Sequence, residues 1–352
     1  SARSPCAHSF RRSCSGCRSA FSEAIARILI LADDFTGAAD SAAAFVGRMR
    51  NVLVCLDPER PAHAEVVSLD LDTRGRSERA ARRRVRAALA SPVAARADIL
   101  FKKIDSTLRG HVAAELAAAR AALGRDRPVI VAPSFPAQAR VVKNGRLFVH
   151  GRPTADEVVR ALAAEGVVLT DARTDRALDA IARRGLAMRP RPLFVGSAGL
   201  ARAIARRLRR IPAPPAVAAP RPIVTVVGSA SAVSAQQTRR LAGTRMTLTG
   251  RVIVKLAPPA DGATLDPQHA RALARVAARK FPHAHFVLTG GETARAVLNA
   301  LRIDRIRLLG EVEPGVPLGI TAGGALVCTK AGAFGDRDTL VRCVRKLGRL
   351  MK

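Results

Sequence analysis

Short apolar runs recur along the chain, each followed by a polar or glycine-containing turn and then by apolar residues at three- and four-residue spacing. The stretch "RILILADDFTGAADSAAAFV" (27–46) is the first such unit. "VVSLDLDTRGRSERAARRRVRAAL" (66–89) is the second, with Ser77 placed as the helix N-cap, and "DILFKKIDSTLRGHVAAELAAARAAL" (98–123) is the third. "RPVIVAPSF" (127–135), "PLFVGSAGLARAIARRL" (192–208), "PIVTVVGSASAVSAQQTRRLA" (222–242) and "HFVLTGGETARAVLNAL" (285–301) continue the pattern. Strands alternating with helices predict an α/β fold, its sheet mostly parallel and flanked by helices on both faces.

One stretch breaks the rhythm. "IPAPPAVAAPRP" (211–222) holds five prolines in twelve residues and predicts a linker. The chain therefore reads as two domains, 28–210 and 223–352, each a mostly parallel sheet flanked by helices, with a cleft between them. Residues 1–27, "SARSPCAHSFRRSCSGCRSAFSEAIAR", lack such a pattern and read as a disordered or non-native extension. Cys6, His8, Cys14 and Cys17 in that segment would suit zinc on paper, but no second ligand pair follows at finger spacing. Cys55, Cys328 and Cys343 lie in apolar contexts and read as buried free thiols.

In open parallel sheets, ligand groups gather where strands end and helices begin. The first half places Asp33, Asp34, Thr36, Asp72, Arg74, Lys102, Lys103, Asp105, Ser106, Thr107 and Arg109 there. An N-cap needs one carboxylate and "ADD" supplies two, so the other is available to a hydroxyl or a magnesium ion. Arg109 suits a carboxylate, which it would hold with two parallel hydrogen bonds. Asp105 either takes a substrate proton or caps the following helix, and Lys102 and Lys103 either face a ligand or alternate on the strand with one solvated. The second half offers glycines and hydroxyls in "VVGSAS" (226–231), "LTGGET" (288–293) and "TKAGAFGD" (329–336), with Lys330 as a cation for phosphate. Ser234 with Gln237 fits a capping box. No Walker loop occurs, and "GSAG" (196–199) is not a nucleophile elbow.

The net charge of +31 changes the picture less than its size suggests. Only eight of the 59 basic residues are lysine, and the arginines are spread along helices. With no Trp or Tyr to stack on bases, no specific nucleic-acid partner is expected, and a basic field also suits an enzyme of anionic substrates. No apolar run approaches the roughly 18 residues of a membrane span, so no membrane partner is expected.

Eight motifs resemble one family in their order: "ADDFTGAAD" (32–40), "KKIDSTLRG" (102–110), "APSFPAQARVVKNGRLFVHGRP" (132–153), "FVGSAGLA" (194–201), "VVGSAS", "LTGGETARAVL" (288–298), "GEVEPGVPLG" (310–319) and "TKAGAFGD". That family is the four-carbon acid sugar kinases, formerly a domain of unknown function, and the resemblance runs from about Ile28 to the C-terminus. It implies a cytoplasmic kinase that uses ATP and Mg2+ to phosphorylate the terminal hydroxyl of threonate, erythronate or 3-oxo-tetronate. Carried over motif by motif, ATP would meet Ser229, Ser231, Gly290, Gly291, Glu292, Thr293, Gly332 and Gly335, beside Lys330. The acid would meet Asp33, Arg74, Lys103, Ser106 and Arg109. Asp34 or Asp105 would be the base, and the metal ligands and a homodimer stay open.

The chain also departs from the family. The relatives run on for several dozen residues after "FVHGRP", where "TADEVVRALAAEGVVLTDARTD" follows here. They usually carry glycine where this chain has Ala139 and Ala333, and asparagine where it has His111. A shortened paralogue that binds sugar acid or nucleotide without turnover is the alternative reading.

Overall fold

The computed structural model describes residues 28–351 apart from 61, 125, 155–161, 163–166, 214, 216, 245–250 and 256–266; the Cys6–Cys17 cluster lies outside the described residues. Its strands are β1 Ile28–Ala32, β2 Val52–Cys55, β3 Val66–Asp70, β4 Ile99–Lys103, β5 Val129–Ala132, β6 Arg140–Lys143, β7 Arg146–Val149 and β8 Arg152–Pro153. They continue as β9 Val167–Leu169, β10 Leu193–Gly196, β11 Ile223–Val227, β12 Arg251–Lys255, β13 His285–Thr289, β14 Arg305–Glu313, β15 Val316–Ile320 and β16 Leu326–Lys330. The helices are α1 Phe35–Ala43, α2 Glu78–Leu89, α3 Pro92–Ala95, α4 Val112–Leu123 and α5 Asp175–Ala187. Those that follow are α6 Ala198–Arg206, α7 Ala232–Ala242, α8 Pro267–Lys280, α9 Gly291–Ala300 and α10 Thr339–Leu350.

The first half contributes a parallel run ordered β2-β3-β1-β4-β10-β5-β9, and the second half a run ordered β12-β11-β13-β16 with an antiparallel hairpin, β15–β14, at its edge. The α/β class read from the sequence is the class observed. Its unforeseen feature is the join. β14 pairs antiparallel with β2, with Ile306 opposite Val54, so the two runs form one 13-stranded sheet. On one face a single apolar core crosses that join, from Ile30, Phe101 and Phe194 to Ile306, Phe286 and Leu298. Sharing a core fixes how the strand ends of one half face those of the other.

β1 is buried on every residue, which explains its unbroken apolar sequence. α2 buries Ala81, Val85, Ala88 and Leu89 and turns its other face, with most of its arginines, to solvent, after Ser77 caps Ala80 N–H. The proline-rich stretch runs along the surface, tied where Ile211 N–H donates to Gly47 O and Ala218 N–H to Leu350 O, each at 2.8–2.9 Å. Strands β6–β8 form a separate three-stranded sheet hanging from the end of β5. Cys55, Cys328 and Cys343 are free and buried. Among the described residues no helix is long and apolar enough to cross a membrane.

Candidate functional site

Three turns of the first half meet at Arg74. Asp34 is the N-cap of α1: its Oδ1 accepts from Gly37 N–H at 3.0 Å and its Oδ2 from the Thr36 hydroxyl at 2.5 Å. Asp33 is buried beside it, and Arg74 donates to both, from Nε to Asp33 and from a terminal nitrogen to Asp34, each at 2.9 Å. The same guanidinium stands 3.4 Å from Asp105. Burial pushes the Asp33 carboxyl up, against the opposing pull of Arg74. Burial opposes ionisation of Asp34 too, but Arg74, Lys103 and its two hydrogen bonds hold that carboxyl below its ordinary value. Two adjacent acids are thus shifted in opposite directions.

The end of β4 corrects two of the local readings. Neither lysine is solvated: Lys102 is fully buried and pairs with Glu115 of α4 at 2.6 Å, while Lys103 faces the other way and donates to Ile104 O at 2.9 Å. Asp105 does not cap a helix, because α4 begins only at Val112. Instead it closes a tight turn on itself, accepting Thr107 N–H at 3.1 Å and a two-pronged grip from Arg109 at 2.8 and 2.9 Å. Burial works against that carboxylate, yet Arg109 and Arg74 hold it well below the usual range.

In the second half Ser231, not Ser234, caps α7, accepting Ser234 N–H at 3.1 Å. The capping-box reading fails because Ser234 and Gln237 serve another segment. Ser234 Oγ donates to Gly332 O at 2.8 Å, and Gln237 Nε2 to Phe334 O and Asp336 O at 3.0 and 2.8 Å. These bonds hold the "TKAGAFGD" turn over the start of α7. Gly332 is required there, since any side chain would collide with Ser229. Lys330 is fully buried and donates to Thr289 Oγ1 and Gly332 O, both at 3.0 Å, with no carboxylate within ion-pair distance among the described residues. Burial pulls its pKa down to about 8.

The two sets face each other. A cavity of about 270 Å³ is lined by Asp34, Lys103, Asp105 and Ser106 from one half and by Lys330 and Gly332 from the other; Arg74, Arg109, Ser229 and Ser231 also border it. A second cavity, about 840 Å³, shares the wall of Asp34 and Arg74, includes Asp33, and continues past Gly291 and Glu292 to α8 and α9. Gly290, Thr293 and Gly335 border neither. Gly290 takes a φ of +95° against Ser229, Thr293 is buried under Gly228, and Gly335 packs on Thr339 before α10. Sequence reasoning passed over Asp40, Phe135, Arg140, Arg202 and Phe334. Asp40 lies one helical turn beyond Thr36, and its carboxyl is raised to about 6 by burial, with Arg202 at 3.0 Å opposing. Its four-residue spacing from Thr36 on α1 was the signal available.

Among the described residues no group of three or more His, Cys, Asp or Glu is set to hold a metal ion. A nucleotide-chelated magnesium needs only one or two protein carboxylates. Asp33 fits that need, since its Oδ1 is buried and accepts no bond.

Fold and site together define a two-part α/β protein with a charged cleft at the carboxyl ends of its strands. Comparison with known proteins gives that class a family. Residues 28–161 match a sugar-binding N-terminal domain and residues 255–340 a nucleotide-binding C-terminal domain. A D-threonate kinase of Cupriavidus necator is 34% identical over 89% of this chain and 96% of its own. One of Bordetella bronchiseptica is 33% identical over 90% and 96%. A crystal structure from Salmonella typhimurium LT2 superposes with a TM-score of 0.72 over 91% of this chain and 99% of its own, at 20% identity, which speaks for the fold. The chain belongs to the four-carbon acid sugar kinase family, and it is a kinase. The Cupriavidus alignment spans 403 positions, more than the 352 residues here, so that relative carries segments with no counterpart in this chain.

Proposed function

We propose that this kinase transfers the γ-phosphoryl group of ATP to the terminal hydroxyl of a four-carbon sugar acid, with D-threonate the first candidate. The observation that carries the reading is the 270 Å³ cavity, where Asp34, Lys103 and Ser106 confront Lys330 and Gly332. Its size suits a short acid, and the adjoining 840 Å³ suits a nucleotide. The most similar relatives cited above act on D-threonate by name.

Phosphoryl transfer asks the protein mainly for alignment and charge neutralisation. Lys330 and the N–H groups opening α7 and α9 would hold the phosphates. Magnesium, when bound, would neutralise phosphate charge beside Asp33 and Asp34. Asp34 is the better candidate for the proton, because it borders both cavities, whereas Asp105 borders only the smaller one. A depressed carboxylate is a weak base, which suffices where proton transfer follows bond breaking. Arg74, Lys103, Ser106 and Arg109, expected to meet the acid, all border the smaller cavity, which favours turnover over the impaired alternative. A coupled ATP-consumption assay over D- and L-threonate, D-erythronate and 3-oxo-tetronate tests the reading; acid-dependent turnover supports it, and nucleotide binding without turnover on any of them supports the alternative.

A further inference from the structure

A sugar acid brings a carboxylate into the cavity, and a buried carboxylate needs a cation. Three arginines line that cavity: Arg74, Arg109 and Arg140. Arg74 is committed to Asp33 and Asp34, and Arg109 to Asp105. Arg109, assigned from sequence to grip the acid, has its fork already filled and is otherwise 65% exposed. Arg140 differs. Among the described residues it has no carboxylate within ion-pair distance, and its Nε is buried without a hydrogen-bond partner.

Arg140 opens β6, and the backbone there is fixed on both sides. Phe135 N–H donates to Arg140 O at 2.7 Å, and Val142 N–H to Ser134 Oγ at 2.9 Å. Its guanidinium donates to Ser106 Oγ and lies 5.5 Å from the Phe334 ring centroid. Phe334 packs edge-on against Phe135 at 6.2 Å, so an aromatic pair contributed by both halves orients the fork.

We infer that Arg140 is the specificity-determining residue that receives the carboxylate of the sugar acid, beside Ser106 in the cavity wall. This rests on the proposed sugar-acid reading. It assigns the acid's carboxylate to Arg140 and the nucleotide's phosphates to Lys330. Uncharged four-carbon polyols lack the group Arg140 needs and are discriminated against there.

The test uses the full chain as wild type, Arg140→Gln and Arg140→Lys, titrated calorimetrically with D-threonate, with threitol and with magnesium ADP, together with steady-state kinetics. The charge-assisted pair predicts that Arg140→Gln weakens D-threonate binding roughly 30-fold or more and raises KM to match. It also predicts unchanged ADP affinity and a kcat within about threefold, the pattern of lost ground-state binding. The variant should bind D-threonate no better than threitol. Arg140→Lys, which keeps charge without the fork, should fall between, and it carries the test if the glutamine variant does not fold. Wild-type affinity for D-threonate in either variant, or a fall in kcat at unchanged KM, would overturn the inference. A wild-type protein that binds ADP but no four-carbon acid would instead overturn the functional reading.

Discussion

Gly291 and Asp34 meet across the cleft: a Cβ on Gly291 would stand 3.1 Å from Asp34 Oδ2 and 3.3 Å from Thr36 Oγ1. The first turn of α9 therefore abuts the cap of α1, and glycine lets two turns from different halves approach this closely. Gly291→Val should force them apart. Its kcat/KM should fall at least tenfold, on the order of 1–3 kcal/mol for an overpacked contact, with weaker magnesium-ADP binding and a lower melting temperature. Wild-type kinetics in a folded Gly291→Val protein would show that this contact does not shape the site.

Asp34→Asn keeps the shape of the cap while removing the charge that faces Arg74 and the base proposed for the acceptor hydroxyl. General-base loss predicts a drop in kcat of roughly a hundredfold or more, with ADP affinity nearly unchanged. Stopped-assay turnover and ADP titration on the same preparation separate these effects.

Asp105→Asn should act differently, through Arg109 and the turn. Loss of charge-assisted bonds to a buried carboxylate predicts destabilisation on the order of 1–3 kcal/mol. The sign with pH follows from a carboxyl held well below its ordinary value: its contribution is present above the usual carboxylate range and lost as pH falls through the folded value. Denaturant melts on acidification should therefore show the wild type keeping its full advantage over Asp105→Asn down to about pH 4 and losing it progressively only below that.

Lys330 gives a pH signature at the opposite end. Burial lowers its pKa to about 8, and a bound phosphate favours the charged form. Nucleotide affinity should be constant below that value and fall as pH rises above it, because binding must then take up a proton. Lys330→Met should weaken ADP roughly tenfold or more and remove that slope. A slope that persists in Lys330→Met would assign it to another group.

The strand–turn–helix units were legible because β1, β3, β4 and β11 each open on apolar residues and lead into polar or glycine-containing turns. The pairing of Ile306 with Val54 was not, because it joins an edge strand of one half to an edge strand of the other, and nothing local marks such a partner. Asp33, Asp34 and Asp105 stood out as acids after apolar runs, yet their shared dependence on Arg74 is a tertiary fact. Lys102 and Lys103 misled for a related reason: alternation on a strand gives two faces, and here both faces are covered. Ser234 resembled a cap because its spacing to Gln237 is right, but both side chains are claimed by the turn at Gly332–Asp336. Arg140 lay in a quoted motif whose irregular path after β5 hides where a side chain ends up.

That irregular path carries a marked residue of its own. Ala139 sits at a φ of 52°, in the left-handed region that favours glycine. Ala139→Gly should relieve the strain and stabilise the protein by about 1 kcal/mol, read as a rise in melting temperature. An unchanged or lower melting temperature would mean the neighbouring strands already absorb it.

The central claim is that one cleft joins an acid-binding wall to a phosphate-binding wall for phosphoryl transfer. It is tested most directly by phosphorus NMR of the product formed from ATP and D-threonate. The account predicts stoichiometric ADP and a phosphomonoester on the terminal carbon of the acid, absent with Asp34→Asn. ADP and inorganic phosphate without a phosphorylated acid, or a phosphate on the carboxylate, would contradict it.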